Sequence, residues 1–477
     1  MITFLICLAM LIAAYFTYGK FLEKVCGIDS KAKVPSETLY DGVDYIPMPR
    51  WRTFLIQLLN IAGVGPIFGA IMGACYGPVA FLWITLGGIF LGAMHDYISA
   101  VISLRHGGLS IHEIIGIYLG DKAKFVLRIF SIVVLILVGA VFVRTPATLL
   151  DGMFESIGLW WWIGIIIVYY FIATLLPIDK LIGKIYPIFG AALIFMALGL
   201  LYIIIFGDYT VPELSEIRNH HLNAANLPLI PMLCITIACG AISGFHATQS
   251  PLMARCVNNE KECRSVFYGA MITESIIALI WAAIAMAFFG GVDSLQEALA
   301  AHGNNAGWAV DHIANTTLGV AGGLLALLGV VAAPITSGDT AFRSARLIVA
   351  DIFHLDQRNI VKRLAVSSVL FAIGVSLLFI NFDILWRYFA WSNQTLSVFV
   401  LWTITVYLYK KGGLTYWLAL LPALFMTYIC SSYIFISKTE FIGMENRTLA
   451  YILGGVVTLV IAALATLKFR RDDKIKA

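Results

Sequence analysis

Thirteen stretches of this chain are apolar for long enough to cross a hydrocarbon layer as helices, beginning near Ile2, Phe54, Pro78, Lys124, Gly158, Lys184, Pro228, Ser265, Thr317, Lys362, Asp383, Leu414 and Arg447. A layer about 30 Å thick takes about 20 helical residues. The runs are continuous and lack a period-two alternation, so a lipid-embedded barrel is excluded. The first run has no basic leading segment and no small-residue cleavage site, and is expected to stay as a helix. With 60% hydrophobic and 13% charged residues, 477 residues hold too little charge to coat a water-soluble fold. Soluble enzymes and nucleic-acid binders are thereby excluded. The eight cysteines sit mostly inside apolar runs and show no paired spacing, which predicts buried, inert thiols.

Basic residues near helix ends are retained on the cytoplasmic side of a membrane. Assigning Lys and Arg to alternate connections puts 27 on one set of loops and five (Arg144, Arg218, Arg387, Lys438, Arg447) on the other. The asymmetry predicts an outside N-terminus, a cytoplasmic C-terminus and an all-α polytopic protein of about thirteen transmembrane helices.

Two of the spans are expected to be discontinuous. Asn60, Ala62, Gly63, Gly65 and Pro66 interrupt the span from Phe54, and Pro66 has no amide to continue a helix. Gly240, Ser243, Gly244 and His246 interrupt the span from Pro228. Each broken helix leads a block of five spans, 54–206 and 228–408, and an odd number inverts the second block. That is the plan of secondary transporters with a 5+5 inverted repeat and a midplane site at unwound helices. Residues 1–53 add an N-terminal helix and a cytoplasmic connection, and 409–477 add two C-terminal helices and a basic tail. Gly65, Gly69, Gly73 and Gly77 also form a small-residue stripe suited to close helix packing, and both readings can hold together.

A charge at membrane depth costs about 2.5 kcal/mol or more, so such groups face cavities or partners. His95 and Asp96 lie in the third span, with Asp96, Ser99 and Ser103 on one face as a candidate polar seam. Glu274 falls near the middle of the eighth span, as a proton carrier or as a satisfied helix-to-helix hydrogen bond. Thr336, Ser337 and Thr340, with carbonyls freed at Ala62 and Gly63, offer hard oxygen ligands for Na+, with Asp339 supplying charge. The competing reading pairs Asp339 with Arg343 at i+4. Asn393 and Gln394 either line the path or join helices, and His246 is either a titrating gate group or a solvated helix end. Amides exposed by a broken helix seat a carboxylate without a full positive charge, which favours an anionic or zwitterionic solute. Trp160, Trp161 and Trp162 read as interfacial anchors.

Several of these segments resemble the carbon starvation protein CstA family: Asp41-Gly-Val-Asp44-Tyr-Ile-Pro47, Ala62-Gly-Val-Gly-Pro-Ile-Phe-Gly69, Met94-His-Asp-Tyr97 and Arg105-His-Gly-Gly-Leu-Ser110. Ile242-Ser-Gly-Phe-His246, Glu274, Asp339-Thr-Ala-Phe-Arg343-Ser-Ala-Arg346 and Ser392-Asn-Gln394 continue the likeness, which runs from about 35 to 400. The resemblance implies a bacterial inner-membrane transporter for peptides or pyruvate, with the fold of the amino acid/polyamine/organocation superfamily. Longer members carry a His pair where this chain has Gln57 and Leu58, so a proton role resting on that pair does not carry over. Na+ therefore competes with H+ as the coupling ion.

Together these readings predict a secondary active importer of a short peptide or a small carboxylate, coupled to H+ or Na+, with no cofactor. The substrate residues expected are Asn60, Ala62, Gly63, Gly65, Gly240, Ser243, Gly244, Asn393 and Gln394, and the coupling residues His95, Asp96, His246, Glu274 and Asp339. A channel-like pore is one rival. An intramembrane hydrolase using Ser243 with His246 is another, with no oxyanion device or third group to support it.

Overall fold

The computed structural model describes the chain apart from residues 43, 155, 176–177, 356–358 and 477, and apart from the side chains of 178–185, 383 and 468–476. Val43 of the Asp41–Pro47 segment and the side chains of Lys180, Lys184 and the basic tail therefore lie outside the described residues. Among the described residues the regular structure is helical and, besides short helices at Pro35–Thr38, Ile111–Leu119 and Val292–Ala301, comprises α1 (Ile2–Cys26), α2 (Arg50–Ile61), α3 (Gly65–Ala74), α4 (Val79–Arg105), α5 (Asp121–Met153), α6 (Leu159–Leu175), α7 (Ile178–Phe206) and α8 (Leu229–Thr236). Then follow α9 (Gly244–Ala254), α10 (Arg264–Phe288), α11 (Ala306–Ala326), α12 (Ala332–Phe353), α13 (Ile360–Leu377), α14 (Phe382–Lys411), α15 (Trp417–Ile436) and α16 (Arg447–Lys476).

Among the described residues nine helical stretches, α11 and α12 counting together as Ala306–Phe353, are long and apolar enough to cross a membrane, or ten when α2 and α3, bent by 49°, count as one span. This is a multi-pass membrane protein. Outside this number fall α6, which is shorter, the α8–α9 pair, which is interrupted, and α14, which carries Asn393 and Gln394 in its interior.

The burial pattern separates the bundle centre from the lipid-facing rim. Helix α10 is sealed inside, whereas α13 and α16 show most of their apolar surface. Loops from 26–48, 105–108, 255–262 and 411 gather at one end. There Arg105 donates to Glu260 and to the carbonyls of Cys26 and Gly27, at 2.9–3.0 Å. Asn259 donates to Ser30 O at 2.8 Å, Arg255 to Gly108 O at 2.9 Å and Lys411 to Val25 O at 2.6 Å. A second group holds the other loops, with Leu222 N on Gln296 Oε1 and Tyr388 OH on Glu440 O, at 2.8 and 2.7 Å.

Candidate functional site

Helix α2 stops at Ile61 because Ala62 leaves helical geometry (φ −84°, ψ 57°) and Pro66, in the first turn of α3, has no N–H to offer backwards. Helix α8 stops at Thr236, and 237–243 run as irregular backbone before α9. Gly240 sits there at φ +90°, a conformation a side chain disfavours. The two breaks meet. A Cβ on Gly65 would stand 2.4 Å from Cys239 Sγ, one on Gly69 3.0 Å from Thr236 O, and one on Gly240 3.7 Å from Pro66 Cβ. The small-residue stripe of α3 is therefore the face on which the second interrupted segment rests, so close packing and helix interruption are two aspects of one junction.

Beside this junction runs a chain of ionisable groups with no solvent exposure. His95 Nδ1 lies 2.8 Å from Asp96 Oδ1, His246 Nδ1 lies 2.8 Å from Asp96 Oδ2, and His246 Nε2 lies 3.4 Å from Glu274 Oε2. Asp96 is thus gripped by two imidazoles, one from its own helix and one from α9. Among the described residues His95 Nε2 and Glu274 Oε1 are buried without a hydrogen-bond partner, and the approach of His246 Nε2 to Glu274 Oε2 is an ion-pair contact without hydrogen-bond geometry. His246 is enclosed, and the solvated helix end expected as one reading does not occur. The Ser99 and Ser103 hydroxyls turn to the carbonyls of Asp96 and Leu109, at 3.2 and 2.8 Å, so the polar seam crosses to α9 and does not descend α4.

Asn393 ties α14 to the second break. Its Oδ1 accepts from Phe245 N at 2.7 Å, and its Nδ2 donates to Ser243 Oγ at 2.9 Å. Gln394 Nε2 donates to Cys234 O at 3.0 Å. Both amides join helices. Ser243 is engaged by Asn393 and His246 by two carboxylates, so the Ser–His pairing a hydrolase requires is not made.

Cys239 was expected to be an inert thiol. It lies on the unwound stretch, and its Sγ, a nitrogen of His246 and an oxygen of Glu274 fall within 4.8 Å of one another, a donor set that could hold a metal ion. Only its position one residue before Gly240 marks it in the sequence.

On the other side of α2, Ser337 Oγ donates to Leu59 O at 3.2 Å, which brings the hydroxyl-rich turn of α12 against the first break. Thr336 and Thr340 donate to Ala333 O and Ser337 O, at 2.8 and 2.9 Å, leaving oxygen lone pairs free to ligate. Asp339 faces Arg343 at 3.4 Å, the local i+4 pair. Asn60 Oδ1 is buried and unpartnered next to the break.

Aromatic rings pack against the first break. Phe142, whose ring is 3.0 Å from where a Cβ of Gly63 would be, neighbours Phe245 and Phe389, at 6.2 and 6.0 Å between centroids. Trp386 continues the series to Phe68. Beyond these rings lies a cavity of about 550 Å³. Trp160, expected only as an interfacial anchor, is one of its walls.

The carbon starvation protein CstA family matches this sequence over residues 1–158 and 148–328. The chain belongs to that family. It is 42% identical over 352 residues to an uncharacterized membrane protein of Haemophilus influenzae, covering 63% of this chain and 95% of that one. The peptide transporter CstA of Bacillus subtilis is 26% identical over 333 residues, covering 57% of this chain and 56% of that one. The pyruvate/proton symporter BtsT of Escherichia coli is 26% identical over 339 residues, covering 56% and 46% respectively. The chain thus spans about half the length of these named transporters. Two solved structures share its fold. A manganese transporter mutant of Eremococcus coleocola aligns with a TM-score of 0.53 at 14% identity, over 93% of this chain and 98% of that one. Mhp1, a nucleobase-cation-symport-1 family transporter in a closed conformation with bromovinylhydantoin bound, aligns with a TM-score of 0.53 at 13% identity, over 89% and 93%.

Proposed function

We propose that this protein is a secondary active transporter that imports short peptides or a small carboxylate such as pyruvate during carbon starvation, driven by an ion gradient. The observation that carries the reading is the meeting of two interrupted helices, at Gly65 and Cys239, beside the buried series His95–Asp96–His246–Glu274. Unwound backbone at membrane depth is tolerated only where it is buried in protein or lines a cavity. Counting α6, the α8–α9 pair and α14 as spans gives thirteen, arranged as one N-terminal helix, five-plus-five inverted repeats (54–206 and 228–408) and two C-terminal helices. The N-terminus is then outside and the C-terminus cytoplasmic in a bacterial inner membrane.

Rocking of one half about the junction would expose it alternately to either side. The substrate meets Asn60, the backbone of 62–65 and the 240–244 segment. Protons are the coupling ion we favour, because the four ionisable residues make continuous contacts from α4 through α9 to α10. Na+ at Ala62, Gly63, Thr336, Ser337 and Thr340 is the second reading, supported by the Ser337–Leu59 contact.

Proteoliposomes loaded at one pH and Na+ concentration and diluted into another separate these readings. Labelled pyruvate, dipeptides and tripeptides are offered under each gradient alone, and concentrative uptake under the proton gradient is expected. Equilibration without accumulation would make the protein a channel. Accumulation under Na+ alone would move coupling to the α12 hydroxyls. Glu274→Gln is expected to abolish driven uptake while sparing exchange, and equal loss of both would make Glu274 a packing residue.

A further inference from the structure

The 550 Å³ cavity at the charge-poor end is lined by Arg144, which has no carboxylate within 4 Å among the described residues. Among the described residues six arginines have a carboxylate within 4 Å: Arg105 with Glu260, Arg128 with Glu113, Arg218 with Glu216, Arg264 with Glu23, Arg343 with Asp339 and Arg387 with Glu440, while Arg255 and Arg346 have none. Arg144, half-buried on α5, has none among the described residues. Asp151, two turns further along the same helix, stands outside that distance. A partly desolvated cation left unpaired is costly, and here it faces open volume instead of protein.

The walls around it match one kind of ligand. Thr148 and His302 line the cavity with Arg144, and Asn304 adds a side-chain amide. Phe68 and Phe382 form the apolar part of the wall, and Phe68 belongs to the helix that restarts after the first break. Polar groups around a guanidinium on one side and aromatic rings on the other suit a molecule with a carboxylate at one end and side chains along its length. Cavities of about 300–1,000 Å³ enclose drug-sized ligands, so this one is generous for a three-carbon acid and fitted to two or three residues.

We propose that Arg144 and the cavity it lines form an access subsite for short peptides, in which the guanidinium receives the C-terminal carboxylate before the aromatic rings open toward Gly63. The assignment rests on the transporter reading for its role in uptake, but the binding it predicts is measurable apart from uptake. Purified protein is titrated with tri-alanine and with its C-terminal amide. Wild type is expected to bind the acid about tenfold to a hundredfold more tightly than the amide, as a charge-assisted bidentate contact gives. Arg144→Gln is expected to bring the two affinities together, and Arg144→Lys, a point charge, to keep part of the difference.

An unchanged acid-to-amide ratio in Arg144→Gln overturns the subsite, as does absence of tri-alanine binding to wild type. Pyruvate displacing tri-alanine at equal concentration overturns the peptide assignment. Because Arg144→Lys keeps the charge and the volume, a folding defect in Arg144→Gln is recognised by its absence in the lysine variant, and the lysine variant's ratio then decides. Should acid selectivity depend on Arg144 while no gradient drives uptake, the subsite stands and the transporter reading falls. Driven tri-alanine uptake with a ratio indifferent to Arg144 gives the reverse.

Discussion

The junction between α9 and α14 tolerates no side chain at Gly244, and replacing that residue tests the packing from which the site is built. A Cβ there would lie 2.4 Å from Ser397 N, 2.5 Å from Asn393 O and 2.6 Å from Leu396 Cβ. Two of the three atoms are backbone, so no rotamer change relieves the clash and the helices must separate. Overpacking of this kind costs about 1–3 kcal/mol. Separation also stretches the Asn393 hydrogen bonds to Phe245 N and Ser243 Oγ, worth about 1 kcal/mol each. Gly244→Ala should therefore lose roughly 3 kcal/mol or more, and at about 2–4 °C per kcal/mol its melting temperature in detergent should fall by roughly 6–12 °C. Two comparators fix the meaning. Gly73→Ala meets side-chain atoms alone, Ile237 Cδ1 and Cγ1 at 2.3 Å, and should cost about 1–3 kcal/mol, less than Gly244→Ala because no backbone is pushed apart and no hydrogen bond is stretched. Gly164→Ala, with nothing within 4 Å on the exposed side of α6, should gain about 0.5 kcal/mol or more from helix propensity. Thermal melts of the three variants check the order. Equal stability of Gly244→Ala and Gly164→Ala would refute the close approach of α9 to α14, and with it the placement of Asn393 at the second break.

Three other outcomes are expected. Asp96→Asn removes the carboxylate that holds His95 and His246 together, and should cut proton-driven uptake by at least about tenfold, the effect of about 1.4 kcal/mol, while substrate exchange persists; counterflow assays compare the two. Asn393→Leu leaves Phe245 N without an acceptor and should destabilise by about 1–3 kcal/mol; denaturation midpoints check this, and an unchanged midpoint would remove the amide's role in joining α14 to the second break. At the basic end, burial pushes the Glu260 carboxyl up, but hydrogen bonds from Arg105 and from Asp29 N–H, with the guanidinium charge, outweigh it and hold the group below its ordinary value of 4.5. A depressed acid adds stability that is complete above the unfolded value and is lost as pH falls through the folded one. The advantage of wild type over Glu260→Gln should thus be full at neutral pH and shrink below about pH 4.5, as melts across pH would reveal; a constant gap would assign Glu260 a packing role.

What the sequence made legible follows from which interactions are local. Pro66 lacks its amide wherever the chain goes, so the end of α2 could be read from Gly63 to Pro66 alone, and the oxygen-bearing and glycine residues at 240–244 marked the second break for the same reason. The ionisable groups were visible singly, because a charge inside an apolar run is conspicuous. Their connection was not: Asp96 and His246 are 150 positions apart, and only the crossing of α4 and α9 brings them to 2.8 Å. Periodicity along α4 instead proposed a seam through Ser99 and Ser103, which fails because hydroxyls in a helix readily satisfy themselves on nearby carbonyls. Cys239 and Arg144 escaped notice for opposite reasons. A cysteine in an apolar run looks like core, and an arginine near a helix end looks like topology. In each case the sequence carries the group but not what surrounds it: an unwound turn for the thiol, and for Arg144 a cavity wall with no carboxylate within 4 Å among the described residues. A residue's chemistry is written locally, while its unmet demand for a partner is a property of the packed bundle, and at Arg144 that unmet demand is what points to a ligand.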